Sequence, residues 1–136
     1  MTARILIVDD EPALRRTLKR ALSSNHYEVV AVADPNSAYQ VLSETTFDLI
    51  LLDLRLPQIP GDALYLALIR QWPRLRDRVI LMSGDPWSEQ VDWPAELTSC
   101  PVLAKPFSLE TLANTVAAVL AAANSRTDLL EGNGHG

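Results

Sequence analysis

The chain contains a single cysteine, Cys100, so no disulfide can form within it. That excludes a bridge-stapled scaffold and fits a reducing compartment, the cytoplasm. Long apolar runs are missing too. The longest uninterrupted one, Val116 to Ala123, has eight residues, against the roughly 20 that a membrane-spanning helix needs. No charged-then-apolar leader with a small-residue cleavage site opens the sequence, so no export signal is expected. Basic charge is in short supply: 12 Lys and Arg stand against 17 Asp and Glu, a net charge of −5. This argues against direct DNA or RNA binding by the domain. Internal repeats and low-complexity tracts are absent as well. What remains is an ordinary globular composition, 48% hydrophobic and 21% charged over 136 residues, enough chain for one compact domain with a core.

Short β-type runs alternate with helix-period segments along the chain. Ile5 to Val8 reads as a first strand. Ala13, Leu14, Leu18, Ala21 and Leu22 then recur at helical spacing, with Arg15, Arg16, Lys19 and Arg20 on the opposite, solvated face. Glu28 to Val32 is a second strand. Asp34-Pro35 is a helix-start signal ahead of the apolar stripe Ala38, Val41, Leu42. Phe47 to Leu54, FDLILLDL, is nearly all apolar, as a central parallel strand covered on both faces should be. Leu64, Ala67, Leu68 and Trp72 mark a third helix closed by Pro73. Val79 to Met82 and Val102 to Ala104 are the last two strands, and Ser108 caps a final helix carrying Leu109, Leu112, Val116, Val119 and Leu120. Pro86, Pro94 and Pro101 interrupt the stretch before the fifth strand, so the fourth helix is expected to be short or irregular, beginning after Pro86 and stopped or kinked at Pro94. Trp87 and Trp93 there read as half-packed loop aromatics. From Asn124 the period is lost and Gly, Asn, Asp and Ser appear, so 1–123 is expected to be the domain and 124–136 a flexible tail or the start of a linker.

Five strands interleaved with helices make a doubly wound parallel sheet. Ligands of such sheets bind beyond the carboxyl ends of the strands, at the topological switch point. Asp9 and Asp10 end the first strand, Asp53 the third and Ser83 the fourth, and Lys105 follows the fifth. All would gather at one edge. Adjacent carboxylates repel and raise one another's pKa, so ILIVDDEP needs a compensating charge. A divalent cation with oxygen preference, Mg²⁺, is one answer. The alternatives remain open on the residues alone: Asp10 as a helix N-cap, Glu11 as a first-turn charge, Ser83 as a strand-end turn residue, Lys105 as a snorkelling surface lysine. Asp53 is harder to explain away, because a charge inside LLDL is costly to bury without a partner. His26 and the basic face of the first helix read as solvated surface.

VDDEP (Val8 to Pro12), LLDLRLPQIPG (Leu51 to Gly61), MSG (Met82 to Gly84) and LAKPF (Leu103 to Phe107), in this order and at these separations, resemble the receiver domain of bacterial response regulators over about the first 123 residues. The resemblance implies a flavodoxin-like (βα)5 three-layer sandwich with a five-stranded parallel sheet of order 2-1-3-4-5. It implies a phosphorylation-driven switch of a two-component or phosphorelay system, whose only catalysis is its own phosphotransfer and autodephosphorylation. Asp53 would accept a phosphoryl group from a sensor histidine kinase or histidine phosphotransfer protein. Asp10, Asp53 and the backbone carbonyl of Arg55 would ligate Mg²⁺, with Asp9 acting mainly through a metal-bound water. Ser83 and Lys105 would contact phosphoryl oxygens, and Lys105-Pro106 would be cis. The basic face of the first helix would border the surface that docks the kinase. The implied protein is a cytoplasmic monomer or weak homodimer with a downstream protein target, without membrane or direct nucleic-acid contact.

Three positions depart from the commonest pattern of that family. Val102 stands where many receivers carry the Tyr or Phe that works with Ser83 as a rotamer switch, so an atypical signalling surface is expected. Arg55 and Asp85, two residues beyond Asp53 and Ser83, would flank the path of the hydrolytic water and could obstruct it as an ion pair. Arg55 also stands where a haloacid-dehalogenase-type hydrolase needs a second Asp, and VDDEP would repel the phosphate of a flavin. The readings kept beside the switch are a receiver module of a larger regulator and an interaction module that works without phosphorylation.

Overall fold

The computed structural model describes residues 2–85 and 93–135. Its elements are β1 (Arg4–Val8), α1 (Pro12–Ser24), β2 (Glu28–Val32), α2 (Pro35–Glu44), β3 (Leu49–Asp53), α3 (Gly61–Gln71) and a 3₁₀ turn (Pro73–Leu75). β4 (Val79–Ser83), α4 (Ala95–Thr98), β5 (Val102–Ala104) and α5 (Leu109–His135) follow. The five strands form one parallel sheet of order β2-β1-β3-β4-β5, the flavodoxin-like arrangement expected from the sequence.

The period of two along each strand sorts side chains onto two faces. Ile5 and Ile7 of β1, Leu49 and Leu51 of β3, and Ile80 and Met82 of β4 meet Leu18 and Leu22 of α1 and Leu112, Val116 and Leu120 of α5. Leu6 and Val8, Ile50 and Leu52, and Val79 and Leu81 point the other way, against Ala38 and Leu42 of α2, Leu64, Tyr65 and Leu68 of α3, and Leu97 of α4. Both faces are covered, which is why β3 and β4 read as unbroken apolar runs. Each fully buried Leu or Ile side chain contributes roughly 2 kcal/mol of transfer free energy, so the sheet position is fixed by many small terms acting together.

Local signals place the helix starts. Asp34 caps α2 by accepting the Ser37 N–H at 2.8 Å, an interaction that holds its carboxyl below the usual range. The Ser108 hydroxyl accepts the Thr111 N–H at 3.0 Å at the start of α5. The α1 cap is Glu11, with no side-chain capping bond, so Asp10 is not the N-cap that a local reading allows.

A short helix precedes the fifth strand, as expected: among the described residues it is the single turn Ala95–Thr98, entered from Pro94. A helix directly after Pro86, and Trp87 with it, lie outside the described residues. Trp93 is half-buried against the α2–α3 side of the core. The last helix does not stop where its apolar period stops. Ala123 is buried, yet the backbone stays helical to His135. Loss of the apolar period does not end the helix, and 124–131 holds neither Gly nor Pro to break one. His26 is exposed at φ 68° in the turn between α1 and β2.

Gly61 opens α3 in a space that admits no side chain. A Cβ there would sit 2.4 Å from Leu54 Cα and 2.9 Å from the Asp53 carbonyl oxygen, both backbone atoms that cannot turn aside. Gly61→Ala should therefore push the loop after β3 away from the sheet and cost about 1–3 kcal/mol, measurable as a lowered urea midpoint at unchanged slope; a wild-type midpoint would contradict this packing.

Candidate functional site

The sheet delivers its polar residues to one corner. β1 ends at Val8, and the turn into α1 leaves Asp9 and Asp10 at the strand tip. Val8 pairs with Leu52, which brings Asp9 beside Asp53 at the end of β3. Ser83 ends β4 opposite Ala104 of β5, and Lys105 follows. β1 lies between β2 and β3, so this corner is the switch point of the sheet, where adjacent crossovers leave a crevice.

One carboxylate oxygen from each of Asp9, Asp10 and Asp53 falls within 4.8 Å of the others. The three acids have different surroundings. Asp9 is fully buried, and every polar atom it has is partnered. Its N–H donates to the Val32 carbonyl at 3.1 Å, its own carbonyl accepts Arg15 Nη1 at 2.8 Å, Oδ1 accepts the Glu11 N–H at 2.8 Å, and Oδ2 accepts Lys105 Nζ at 2.9 Å. Asp10 is exposed. Asp53 is buried, with Oδ1 accepting the Arg55 N–H at 3.0 Å and Oδ2 3.5 Å from Lys105 Nζ.

Burial pushes the Asp53 carboxyl above its ordinary range, the Arg55 N–H and the Lys105 ammonium pull it back, and Asp9 and Asp10 add to the rise. For Lys105 burial works against the charge, but the bonds to Asp9 and Asp53 outweigh it and its pKa is raised. Asp9 and Asp53 thus share one ammonium group, and with Asp10 beside them the corner keeps excess negative charge. Hard oxygen donors, one of them open to solvent, suit Mg²⁺, which keeps several of its waters. The donor set fits the cation.

Ser83 is buried, and its hydroxyl accepts the Asp85 N–H at 3.1 Å. Arg55 is exposed and pairs with Pro60 in an antiparallel bridge that closes the loop after β3. Lys105-Pro106 is cis. Val102 is half-buried against the α2–α3 core.

Two residues escaped the sequence reading. Arg15, placed there on the solvated face of α1, is half-buried and reaches back to the strand tip. A signal existed, since helical side chains lean toward the helix N-terminus and a long one in the first turns can reach past it. The second is Tyr65 of α3, buried with its hydroxyl against the Cys100 thiol, where burial and that contact raise its pKa.

The family model for the response regulator receiver domain matches residues 5–117. Response regulator MprA of Mycolicibacterium vanbaalenii is 33% identical over 123 residues, covering 88% of this chain and 51% of that protein. MprA of Mycobacterium tuberculosis matches with the same identity and coverage, so the chain spans about half the length of these relatives. Among solved structures, chemotaxis response regulator CheY4 of Vibrio cholerae aligns with a TM-score of 0.77 at 26% identity, over 88% of this chain and 99% of that one. Response regulator TrrA of Thermotoga maritima, solved in complex with Mg(2+)-BeF, aligns with a TM-score of 0.74 at 25% identity, over 87% and 99%. With its motifs, sheet order and acidic corner in agreement, the chain belongs to the response regulator receiver domain family.

Proposed function

We propose that this chain is a phosphorylation-driven switch in which Asp53 is the phosphoacceptor. The observation that carries the reading is the buried Asp53 carboxylate at the tip of β3, 3.5 Å from Lys105 and clustered with Asp9 and Asp10. That TrrA, which shares the fold, was solved in complex with Mg(2+)-BeF supports a Mg²⁺-dependent reading. In the transfer, an Asp53 oxygen attacks phosphorus, the bond to the donor's histidine nitrogen breaks, and that nitrogen keeps the electron pair. Asp10, Asp53 and the Arg55 carbonyl would hold Mg²⁺, which when bound neutralises charge on the transferring group. Asp9 anchors Lys105 and would face the cation through a water. The Ser83 hydroxyl would donate to one phosphoryl oxygen, and Lys105, already between Asp9 and Asp53, would turn to another.

The phosphodonor is a sensor histidine kinase or a histidine phosphotransfer protein. A groove of about 570 Å³ beside α1, lined by Ala13, Arg16, Thr17, Arg20 and Leu109, suits its docking helix; Leu109 is 51% exposed at its mouth. Residues 1–123 are the switch domain, cytoplasmic and monomeric or weakly dimeric, and 124–136 connect it onward. No described helix is long and apolar enough to cross a membrane. MprA is about twice as long as the matched region, which favours a second reading of this unit as the receiver module of a larger regulator. Val102 removes the aromatic rotamer from the switch, so the output surface is atypical. Arg55 and Asp85 flank the hydrolytic water and prolong the phosphoryl state.

Intact mass after incubation with Mg²⁺ and acetyl phosphate should show one added phosphoryl group, absent without Mg²⁺ and absent in Asp53→Asn; uptake by that variant would remove Asp53 from its role. Arg55→Ala should hydrolyse its phosphoryl group several-fold faster, and an unchanged decay rate would end the shielding idea. Asp53 also sets a pH signature. Its folded-state pKa is raised, so the stability it contributes is complete below the ordinary carboxylate range and is lost as pH rises through the folded value. Without Mg²⁺, Asp53→Asn should therefore melt a few degrees above wild type at neutral pH, with the gain vanishing near pH 3; equal melting curves at both pH values would contradict the burial cost assigned to Asp53.

A further inference from the structure

Arg15 is the one member of the basic face of α1 seen to hydrogen-bond to the acidic corner. Its Nη1 lies 2.8 Å from the Asp9 carbonyl oxygen, while Arg16, Lys19 and Arg20 are exposed. We infer that Arg15 is a positioning residue for the divalent cation, holding the Asp9–Asp10 peptide so that the Asp10 carboxylate meets the metal. The inference rests on the reading of the corner as a Mg²⁺ site.

The geometry leaves Asp10 little else to orient it. Asp9 is fixed by its N–H on Val32, by its two carboxylate bonds and by Arg15. Asp10 is the exposed acid, and α1 begins behind it without a side-chain cap. The plane of the peptide joining the two residues sets the direction of the Asp10 Cα–Cβ bond. Its carbonyl end is gripped by a planar guanidinium, which is always charged and directional. Releasing that carbonyl frees the peptide to rotate and the Asp10 carboxylate to leave the crevice. Residues that orient metal ligands in this indirect way change metal affinity about 10- to 100-fold when removed.

Charge and positioning predict opposite signs, which makes the role separable. Arg15 is a cation near a cation site, so its through-space effect opposes Mg²⁺ binding. If it acted only by charge, neutralising it would tighten binding. If it positions Asp10, neutralising it weakens binding despite the relieved repulsion.

The test is a calorimetric titration of the full chain with MgCl₂, with no phosphodonor, for wild type, Arg15→Met, Arg15→Lys and Lys19→Met. The expected result is a Mg²⁺ Kd about tenfold higher in Arg15→Met, partly restored in Arg15→Lys, and unchanged or slightly lower in Lys19→Met, which removes the same charge one turn along the helix. An unchanged or lower Kd in Arg15→Met overturns the inference, as does an equal rise in Lys19→Met. Should Arg15→Met fail to fold, Arg15→Gln, neutral and too short to reach the carbonyl in the same way, carries the same comparison. A wild-type chain that takes up no Mg²⁺ is a distinct result: it overturns the reading of the corner itself, and the inference with it.

Discussion

Asp9, Asp10 and Asp53 bring oxygens within 4.8 Å of one another, and much else in the structure serves to make that tolerable. Two unit charges at such a distance near a protein surface repel by about 3–4 kcal/mol, and burying a carboxylate adds its own desolvation cost. The corner meets this with one ammonium group and with backbone N–H donors. Lys105 bonds the fully buried Asp9 and lies 3.5 Å from Asp53. The Glu11 N–H and Arg55 N–H each occupy one carboxylate oxygen. The compensation is incomplete, since burial still raises the Asp53 pKa. An incompletely neutralised acidic corner is what a cation-dependent site needs, because a fully compensated one would have no use for the metal.

Such a corner requires a backbone that does not yield to the repulsion. β3 supplies it by being fixed at both ends. At its entry Asp48 accepts the Arg4 N–H and Arg74 Nη2 on its carboxylate and Arg78 Nη1 on its carbonyl. At its exit the Leu54 N–H donates to the Met82 carbonyl and the Gly61 N–H to the Leu54 carbonyl. Between them Leu49 to Leu52 are wholly buried, alternating between two cores. A slip of one residue would turn each side chain to the wrong core and carry Asp53 off the edge. The apolar packing thus holds Asp53 in register although no apolar side chain belongs to the acidic corner.

The alternation of strands and helices was legible because short unbroken apolar runs, helical stripes and capping residues follow one another along the chain, whereas the strand order came from the family resemblance. Asp53 was legible because a charge in an apolar run has few bland explanations. Asp9 and Asp10 could be read as acids at a strand tip, and the family resemblance gave them different parts, but their burial was not legible; the structure makes Asp9 buried and fully bonded and Asp10 exposed. Arg15 was missed because periodicity says which face of a helix is apolar and is silent on how far a long side chain reaches. The helical backbone from Asn124 to His135 was missed for a related reason, since a helix can continue where its apolar period does not.

The energetics of switching bear on Val102. A β-branched side chain has a strong χ1 preference, so Val102, half-buried against the core, offers no ring to swing between two sites. Tyr65, a large aromatic of the same core, is buried and tied to Cys100, which suits a fixed wall better than a rotor. A rotor is not required for the coupling free energy, however. Phosphorylation of Asp53 would draw Lys105 from Asp9 and engage the Ser83 hydroxyl, which now accepts from Asp85. Hydrogen bonds to charged groups are worth roughly 1.5–3 kcal/mol each, and allosteric couplings are typically 1–3 kcal/mol. Exchanging one or two such bonds at the tips of β4 and β5 therefore supplies as much free energy as a switch of this size uses. The change would then spread through the backbone beyond Ser83 and Lys105, and the partner would read displaced main chain rather than a turned ring.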